Sequence, residues 1–259
     1  MADQPSDTQA GDVEMTLSEH LDELRRRLIY ALAGLAAAMA AMAFATRHLL
    51  SELTRPFHAV MTPVDPNARL VVLEPTEAFL IYFRVALIAG LVVSAPWIAY
   101  HLWMFVAAGL YPREKRFVRR AVPFSAVLFI TGAVFFLYVV SEPMLAFFVG
   151  FGSWMGVTPT ITLSSHVRFM TRLMLVFGLG FQTPLVVLVL ARVGLVTPKQ
   201  LAHYRRHVIV LLLVFAALVT SPSPVDQVLL AVPMWLLFEL GVILAKISVR
   251  RREAEQNPE

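Results

Sequence analysis

The sequence contains no cysteine in its 259 residues, which excludes disulfide bonds, thiolate metal sites and cysteine nucleophiles. Charged residues are scarce, because Asp, Glu, Lys and Arg make up 15% of the chain, against about 25% in typical soluble domains. The apolar fraction of 58% excludes an ordinary soluble enzyme. It also excludes a disordered chain, which lacks apolar surface to bury. The remaining class is a multi-spanning membrane protein.

Motifs of catalysis and nucleotide binding are missing as well. The chain has no Gly-rich phosphate loop and no hydrolase triad. His203 and His207 stand four residues apart, but Arg205 and Arg206 between them favour a basic surface over a zinc site. We therefore expect no covalent catalysis, no cofactor and no metal.

Six stretches meet or approach the roughly 20 apolar residues that a helix needs to cross a bilayer. We predict spans at 28–45, 79–99, 121–140, 169–190, 208–219 and 228–245. The fifth is short, with twelve apolar residues, and a Ser-Pro-Ser-Pro turn at 221–224 joins it to the sixth as a tight hairpin. Pro96, Pro184 and Pro233 interrupt helical hydrogen bonding, and we predict kinks there in spans two, four and six.

The basic residues are unevenly placed, since 16 of the 22 Lys and Arg lie at the amino end, in the second and fourth connections, and in the tail. Lysine and arginine accumulate in short cytoplasmic loops. The sequence therefore predicts an all-α polytopic membrane protein with six transmembrane helices, cytoplasmic N- and C-termini, and kinked helices forming a concave body. The net charge of +4 reflects this topology and requires no nucleic-acid partner.

The domain organisation is simple. Residues 1–15 hold four acids and no Lys or Arg, the reverse of a signal peptide, and we predict an acidic disordered tail. Residues 16–247 form a single six-span membrane domain, and 248–259 a charged cytoplasmic tail. Apolar residues at helical spacing predict short interfacial helices in both external loops: Leu49, Leu50, Leu53 and Phe57 in the first, and Phe147, Phe148, Phe151 and Trp154 in the second.

The segment before the first span reads as an amphipathic helix that starts at a capping box, Thr16-Leu17-Ser18-Glu19. On its polar face, Glu23 and Arg27 stand four residues apart and can pair. This face is either a solvated interfacial surface or part of a binding site. Glu114 is a lone acid among five bases in the second connection, on the internal side. It is either a local ion-pair partner or, together with Glu23, a site for a cationic ligand.

Polar groups inside the spans are few, because an ionised side chain at bilayer depth costs at least about 2.5 kcal/mol unless it is paired or wet. Gln182, Glu239 and Arg84 are the candidates. Gln182 fits an interhelical hydrogen bond or a partner contact equally well. For Glu239 a functional role is slightly favoured.

Taken in order, several motifs resemble the TatC family, the Sec-independent twin-arginine protein translocase subunit, from residue 15 to about 247. They are Leu17 to Leu28, Ser94-Ala95-Pro96 to Trp103-Met104-Phe105, Leu110-Tyr111 with Glu114, Phe181-Gln182-Thr183-Pro184, and Ala231-Val232-Pro233-Met234 leading to Phe238-Glu239. The sequence departs from the family at Gln182, where many members have glutamate. It departs again at Ser223, where an acid is frequent and Asp226 follows three residues later.

The resemblance implies a receptor in the bacterial plasma (inner) membrane that binds the twin-arginine signal peptides of folded cargo proteins. It also implies self-association in a larger complex, single-span TatA and TatB partners, and transport driven by the proton motive force. Glu23 and Glu114 match the carboxylates that bind the arginine pair, supported by His20, Leu24, Arg25, Arg27, Phe105 and Tyr111. Matching polar positions for partner contacts and within the membrane are Gln182, Thr220, Gln227 and Glu239.

Two other functions fit the composition. A proton-coupled small-solute permease would use Glu239 as its carrier acid, but it would need several facing polar residues at mid-membrane, and the sequence supplies few. A membrane scaffold without a site is less favoured, because the cytoplasmic acids stand beside aromatic residues.

Overall fold

The computed structural model describes residues 17–108, 112–157, 160–219 and 224–256. This part of the chain is almost entirely helical, as the composition predicts. The elements are α1 (Leu17–Ala43), α2 (Thr46–Met61), α3 (Pro75–Ala108), α4 (Pro112–Phe135), a π-helical turn (Phe136–Val140), α5 (Ser141–Trp154), α6 (Leu163–Gly180), α7 (Thr183–Val193), α8 (Pro198–His203), α9 (Arg205–Val219) and α10 (Pro224–Gln256).

Within the described residues, five helical stretches are long and apolar enough to cross a membrane. They are Ser18–Ala43, Pro75–Ala107, Ala121–Trp154, Leu163–Val193 and Gln227–Val249. They contain four of the six predicted spans in full and the first, 28–45, as far as Ala43. The remaining one, 208–219, lies in α9, whose 15 residues rise about 22 Å, less than the roughly 30 Å of a hydrocarbon core.

The first and third helices pack along each other in opposite directions. His20 near the start of α1 stacks on Phe105 near the end of α3. At the other end, the Tyr82 hydroxyl of α3 donates a hydrogen bond to the carbonyl of Ala43 at 2.8 Å. The carboxyl end of α3 therefore lies beside the first turns of α1, where the predicted binding residues stand.

The helices predicted in the two external loops are present as α2 and α5. Leu53 and Phe57 on α2 are buried, with 5% and 1% exposure, so the apolar face of this helix packs into the protein. Phe151 and Trp154 on α5 are exposed. The two helices contact each other and close one end of the bundle.

The third predicted span does not end at residue 140. A π-helical turn joins α4 directly to α5, so one apolar helix runs over Ala121–Trp154. A π turn fits one extra residue into a helix and changes its phase without ending it. At its end, the Ser141 hydroxyl donates to the carbonyl of Leu137 at 2.6 Å.

Helix continuity differs among the three prolines predicted to interrupt spans. At Pro184 the helix breaks, because α6 ends at Gly180 and α7 begins at Thr183. Pro96 and Pro233 instead lie inside α3 and α10, which continue through them.

The largest core lies where α2, the π-helical turn, α5 and α6 meet. Phe57, Phe136 and Phe177 are each at most 1% exposed there. His166 of α6 lies 2.9 Å through its Nε2 from the carbonyl oxygen of Leu53, which ties α6 to α2. The densest packing is thus at the α2 and α5 end, while α1 keeps its apolar stretch largely unburied by the protein.

Candidate functional site

The first turns of α1 hold a carboxylate between two guanidinium groups. Glu23 accepts a hydrogen bond from Arg27 Nε at 2.7 Å, which confirms the predicted pair, and it also forms an ion pair with Arg26. Residues three and four apart on a helix face each other, so one carboxylate can hold both arginines. The side chain of Glu23 is 11% exposed and that of Arg27 is 18% exposed, whereas that of Arg26 is 61% exposed. Arg26 is therefore the outer and more accessible partner.

One turn earlier on α1, the His20 ring stacks on Phe105, with ring centroids 4.5 Å apart and an interplanar angle of 26°. Two residues 85 positions apart in the sequence are thereby brought together, as the resemblance requires of a shared site. Leu24 is 40% exposed and Arg25 is exposed on the same turns. The surface that these residues form with Glu23 is accessible to a ligand.

An aromatic layer lies deeper between α1 and α3. Trp97 Nε1 donates to the carbonyl of Tyr30 at 2.8 Å, and the ring of His101 lies 4.6 Å from that of Trp97 and 5.6 Å from that of Tyr30. His101 is 5% exposed, and its ring nitrogens have no hydrogen-bond partner among the described residues. These contacts fix α1 against α3 directly below the charged turns.

The second carboxylate of the predicted site is only partly placed. α4 begins at Pro112, so Glu114 belongs to its first turn, while its side chain and the whole of Tyr111 lie outside the described residues. A direct approach of Glu23 and Glu114 therefore remains a prediction.

Gln182, at the break between α6 and α7, connects to α4 through two hydrogen bonds. The Ser125 hydroxyl donates to Gln182 Oε1 at 2.8 Å, and Gln182 Nε2 donates to the Ser125 carbonyl at 2.8 Å. Of the two roles predicted for Gln182, the geometry favours the interhelical hydrogen bond. An amide suits this position because it donates and accepts at once.

Glu239 of α10 is paired with a basic residue. Arg205 at the start of α9 donates from Nε to Glu239 Oε2 at 3.0 Å, and its Nη2 contacts the other carboxylate oxygen. Such a fork-to-fork arrangement is the strongest form of a side-chain ion pair. Gln227 on the same helix is half-buried, and Thr220 lies outside the described residues.

A family model for the Sec-independent protein translocase protein TatC matches residues 19–233. The chain belongs to the TatC family. The TatC of Aquifex aeolicus is 32% identical over 93% of this chain and 99% of its own length. The TatC of Listeria innocua is 33% identical over 95% and 97%, and TatCy of Bacillus subtilis is 31% identical over 93% and 92%.

The TatC fold is shared as well. A crystal structure described as the twin-arginine translocase receptor TatC superposes with a TM-score of 0.78 at 32% identity, covering 89% of this chain and all of that one. The chain is thus a TatC subunit of the twin-arginine protein translocase, a multi-helix component of a protein transport system.

The geometry adds three residues that the sequence analysis did not assign to any site: Arg26, Ser125 and Arg205. Arg26 stands three residues after Glu23, a spacing that could have found it. No local sequence pattern points to Ser125 or Arg205, because they lie 57 and 34 residues along the chain from their partners, Gln182 and Glu239.

Proposed function

We propose that this chain is the receptor of a bacterial twin-arginine translocation system, located in the plasma (inner) membrane. It binds the signal peptides of folded cargo on the surface formed by His20, Glu23, Leu24, Arg25, Arg27 and Phe105, completed by Glu114 and Tyr111. The observation that carries the proposal is Glu23, a carboxylate presented on exposed turns of α1 and already coordinated by two guanidinium groups.

The ion pairs of Glu23 with Arg26 and Arg27 support a binding mode in which an arginine of the signal peptide replaces one of these two partners. A carboxylate has about four lone-pair sites and accepts a guanidinium fork bidentately. An incoming arginine can replace Arg26, whose side chain is mostly exposed, while Arg27 keeps the carboxylate oriented. A lysine ammonium does not reproduce the planar fork, so an arginine pair is preferred over a lysine pair.

The second arginine of the signal peptide is assigned to Glu114. Its backbone lies in the first turn of α4, a short connection after the α3 end that carries Phe105. The stacked rings of His20 and Phe105 present an aromatic surface beside Glu23, and an arginine side chain packs favourably on such a surface.

Both termini are assigned to the cytoplasm, with six crossings. Arg25, Arg26 and Arg27 precede the apolar part of α1, and Arg250, Arg251 and Arg252 follow that of α10. If both ends lie on the same side, α9 must also cross the membrane, which brings the number of crossings to six. Its shortness calls for local bilayer thinning or tilted neighbours.

The single-span partners TatA and TatB are assigned to the α9 and α10 hairpin. α9 exposes a run of large apolar side chains, namely Val210, Leu211, Val214, Phe215 and Leu218. Gln227 lies near the start of α10, and Thr220 follows α9 in the sequence. Transport uses the proton motive force, and the receptor self-associates within a larger complex.

Co-purification of the chain with a twin-arginine precursor tests this function. The reference is the same precursor with its two arginines replaced by lysines. The same measurement is made with the Glu23→Gln variant of the chain. We expect the variant to lose precursor recovery by about tenfold or more, since a charge-assisted pair is worth about 1.5–3 kcal/mol.

Glu142→Gln is the matched control, because it removes the same charge from exposed α5 at the opposite end of the bundle. Equal recovery of the arginine and lysine precursors, or full recovery with Glu23→Gln, would contradict the proposed receptor site.

A further inference from the structure

A cavity of about 910 Å³ lies between α3 and α6, at the end of the bundle opposite Glu23. Its walls carry three arginines, Arg84, Arg168 and Arg172, with Glu74 and Glu77 as the acids. The TatC signal-peptide surface uses none of these residues. The cavity therefore has one more positive than negative side chain.

The segments before the two helices fix the mouth of this cavity. Leu163 N donates to the carbonyl of Val71 at 2.9 Å, and Val71 N donates to that of Ile161 at 3.3 Å. This short pairing holds the amino ends of α3 and α6 side by side. The arginines consequently extend from two helices into one space.

Arg84 and Arg172 lie just inside the apolar zone, and Arg168 lies one residue before it. Arg84 comes five residues after Phe79, where the second predicted span begins, and Arg172 three residues after Phe169, where the fourth begins. These offsets correspond to about 7.5 Å and 4.5 Å along a helix. This depth is that of the boundary between headgroups and acyl chains, which long basic side chains reach.

The protein does not fully neutralise the charges of Arg84 and Arg168. Among the ion pairs of the described residues, none includes Arg84 or Arg168. Glu77 acts electrostatically on Arg168, but its carboxylate accepts a hydrogen bond from Leu73 N at 2.9 Å and thereby closes the loop before α3. All three arginines are exposed toward the cavity. An ionised guanidinium at this depth requires an anionic partner or water.

The remaining wall is apolar. Leu80, Phe83 and Leu87 of α3 line the cavity and are each at least 42% exposed. A ligand that combines an anionic group with long hydrocarbon chains matches both parts of the lining. Guanidinium groups bind phosphate oxygens bidentately.

We propose that this cavity binds an anionic phospholipid, with its phosphate on Arg84 and Arg168 and its acyl chains along the exposed apolar face of α3. The lipid belongs to the leaflet at the α2 and α5 end. It completes the charge balance of the cavity and fills the space between α3 and α6.

Native mass spectrometry of the full chain, released from mixed micelles, tests the site. The probes are phosphatidylglycerol and phosphatidylcholine with identical acyl chains. We expect the native chain to retain phosphatidylglycerol about tenfold more strongly, and Arg84→Gln with Arg168→Gln to remove that preference. Arg47→Gln with Arg69→Gln is the matched control, because both residues are exposed at the same end and neither lines the cavity.

Equal retention of the two lipids by the native chain would overturn the proposal, whether or not the double variant folds. An unchanged preference in the folded double variant would also overturn it. Release of phosphatidylglycerol by an equal concentration of glycerol phosphate would do so as well, because the acyl chains would then contribute nothing. The measurement involves no precursor, so it stands or fails separately from the receptor function.

Discussion

At the scale of single residues, Glu23 serves two partners whose accessibility differs. The side chain of Arg26 is 61% exposed and that of Arg27 is 18% exposed, so the pair of Arg26 with Glu23 is a surface ion pair and that of Arg27 is not. Such pairs are worth about 0–1 kcal/mol. In the proposed receptor site, displacing Arg26 therefore costs little free energy, and Arg27 keeps Glu23 ordered while a ligand arginine enters.

Arg26→Gln should consequently strengthen binding of a twin-arginine signal peptide, by up to about fivefold, because the competing guanidinium is removed. Titration of a fluorescent signal peptide into the purified chain measures the dissociation constant. Arg206→Gln is the control for loss of one positive charge, since Arg206 is exposed on α9 and does not contact Glu23. Weaker binding with Arg26→Gln would show that Arg26 is a ligand of the peptide and not its competitor.

Residue pairs close in sequence were predictable, and distant ones were not. The spacing of four between Glu23 and Arg27 predicts contact on any helix. The partner of Gln182 depends on how α4 packs against the break before α7, and no local pattern contains that packing. Glu239 suggests a lone functional acid in the sequence because Arg205 is 34 residues away.

The Gln182 and Ser125 pair makes a second test at this scale. Gln182→Leu leaves the buried Ser125 without both contacts, and we expect a loss of about 1–3 kcal/mol in unfolding free energy. A double-mutant cycle with Ser125→Ala, followed by denaturant unfolding in detergent, measures the coupling. Strict additivity of the two changes would contradict a shared hydrogen-bonded unit.

At the scale of elements, α1 and α3 approach so closely that their backbones are in contact. A Cβ placed on Gly90 would lie 2.7 Å from the backbone nitrogen of Met39 and 2.8 Å from its Cα. Neither atom can move without moving α1. Glycine at this point therefore determines the spacing of the helix pair that brings His20 to Phe105.

Gly90→Ala should separate α1 from α3 and destabilise the protein by about 1–3 kcal/mol, the usual cost of overpacking. It should also weaken signal-peptide binding, because Glu23 and Phe105 stand on the two separated helices. Gly150→Ala is the matched control, since no atom lies within 4 Å of the added Cβ on α5. Thermal unfolding in detergent measures the first effect, and peptide titration the second. Equal stability of both variants would contradict the close approach.

Helices with an apolar periodicity could be predicted from the sequence, whereas the connection between α4 and α5 could not. The spacing of Leu49, Leu53 and Phe57 predicts α2. The stretch from Val134 to Val140, where α4 passes into the π-helical turn, is entirely apolar and contains no glycine or proline that marks a joint. Pro143 lacks the N–H that would bond to the carbonyl of Val139 in an α-helix. Val139 lies within the π-helical turn, Phe136–Val140. The π-helical turn therefore follows from the missing backbone N–H of Pro143, and a hydropathy pattern contains no information about backbone hydrogen bonds.

At the scale of the whole molecule, the hairpin of α9 and α10 decides the number of crossings. α9 has 15 residues and α10 has 33, and Arg205 at the start of α9 pairs with Glu239 near the middle of α10. The charged pair therefore marks where the short helix begins beside the long one. If α9 failed to cross, the basic tail after α10 would lie opposite the basic amino end, against the distribution of charge.

The absence of cysteine allows a direct test of this topology, because each introduced thiol is the sole one in the chain. Six crossings place Lys199→Cys inside and Ser223→Cys outside, with Ser51→Cys as the external reference. A membrane-impermeant maleimide applied to intact cells should then label positions 51 and 223, and position 199 only after permeabilisation. Labelling of 199 and 223 from the same side would mean that α9 does not cross. The carboxyl tail would then face away from Glu23, and the proposed orientation of both termini would fail.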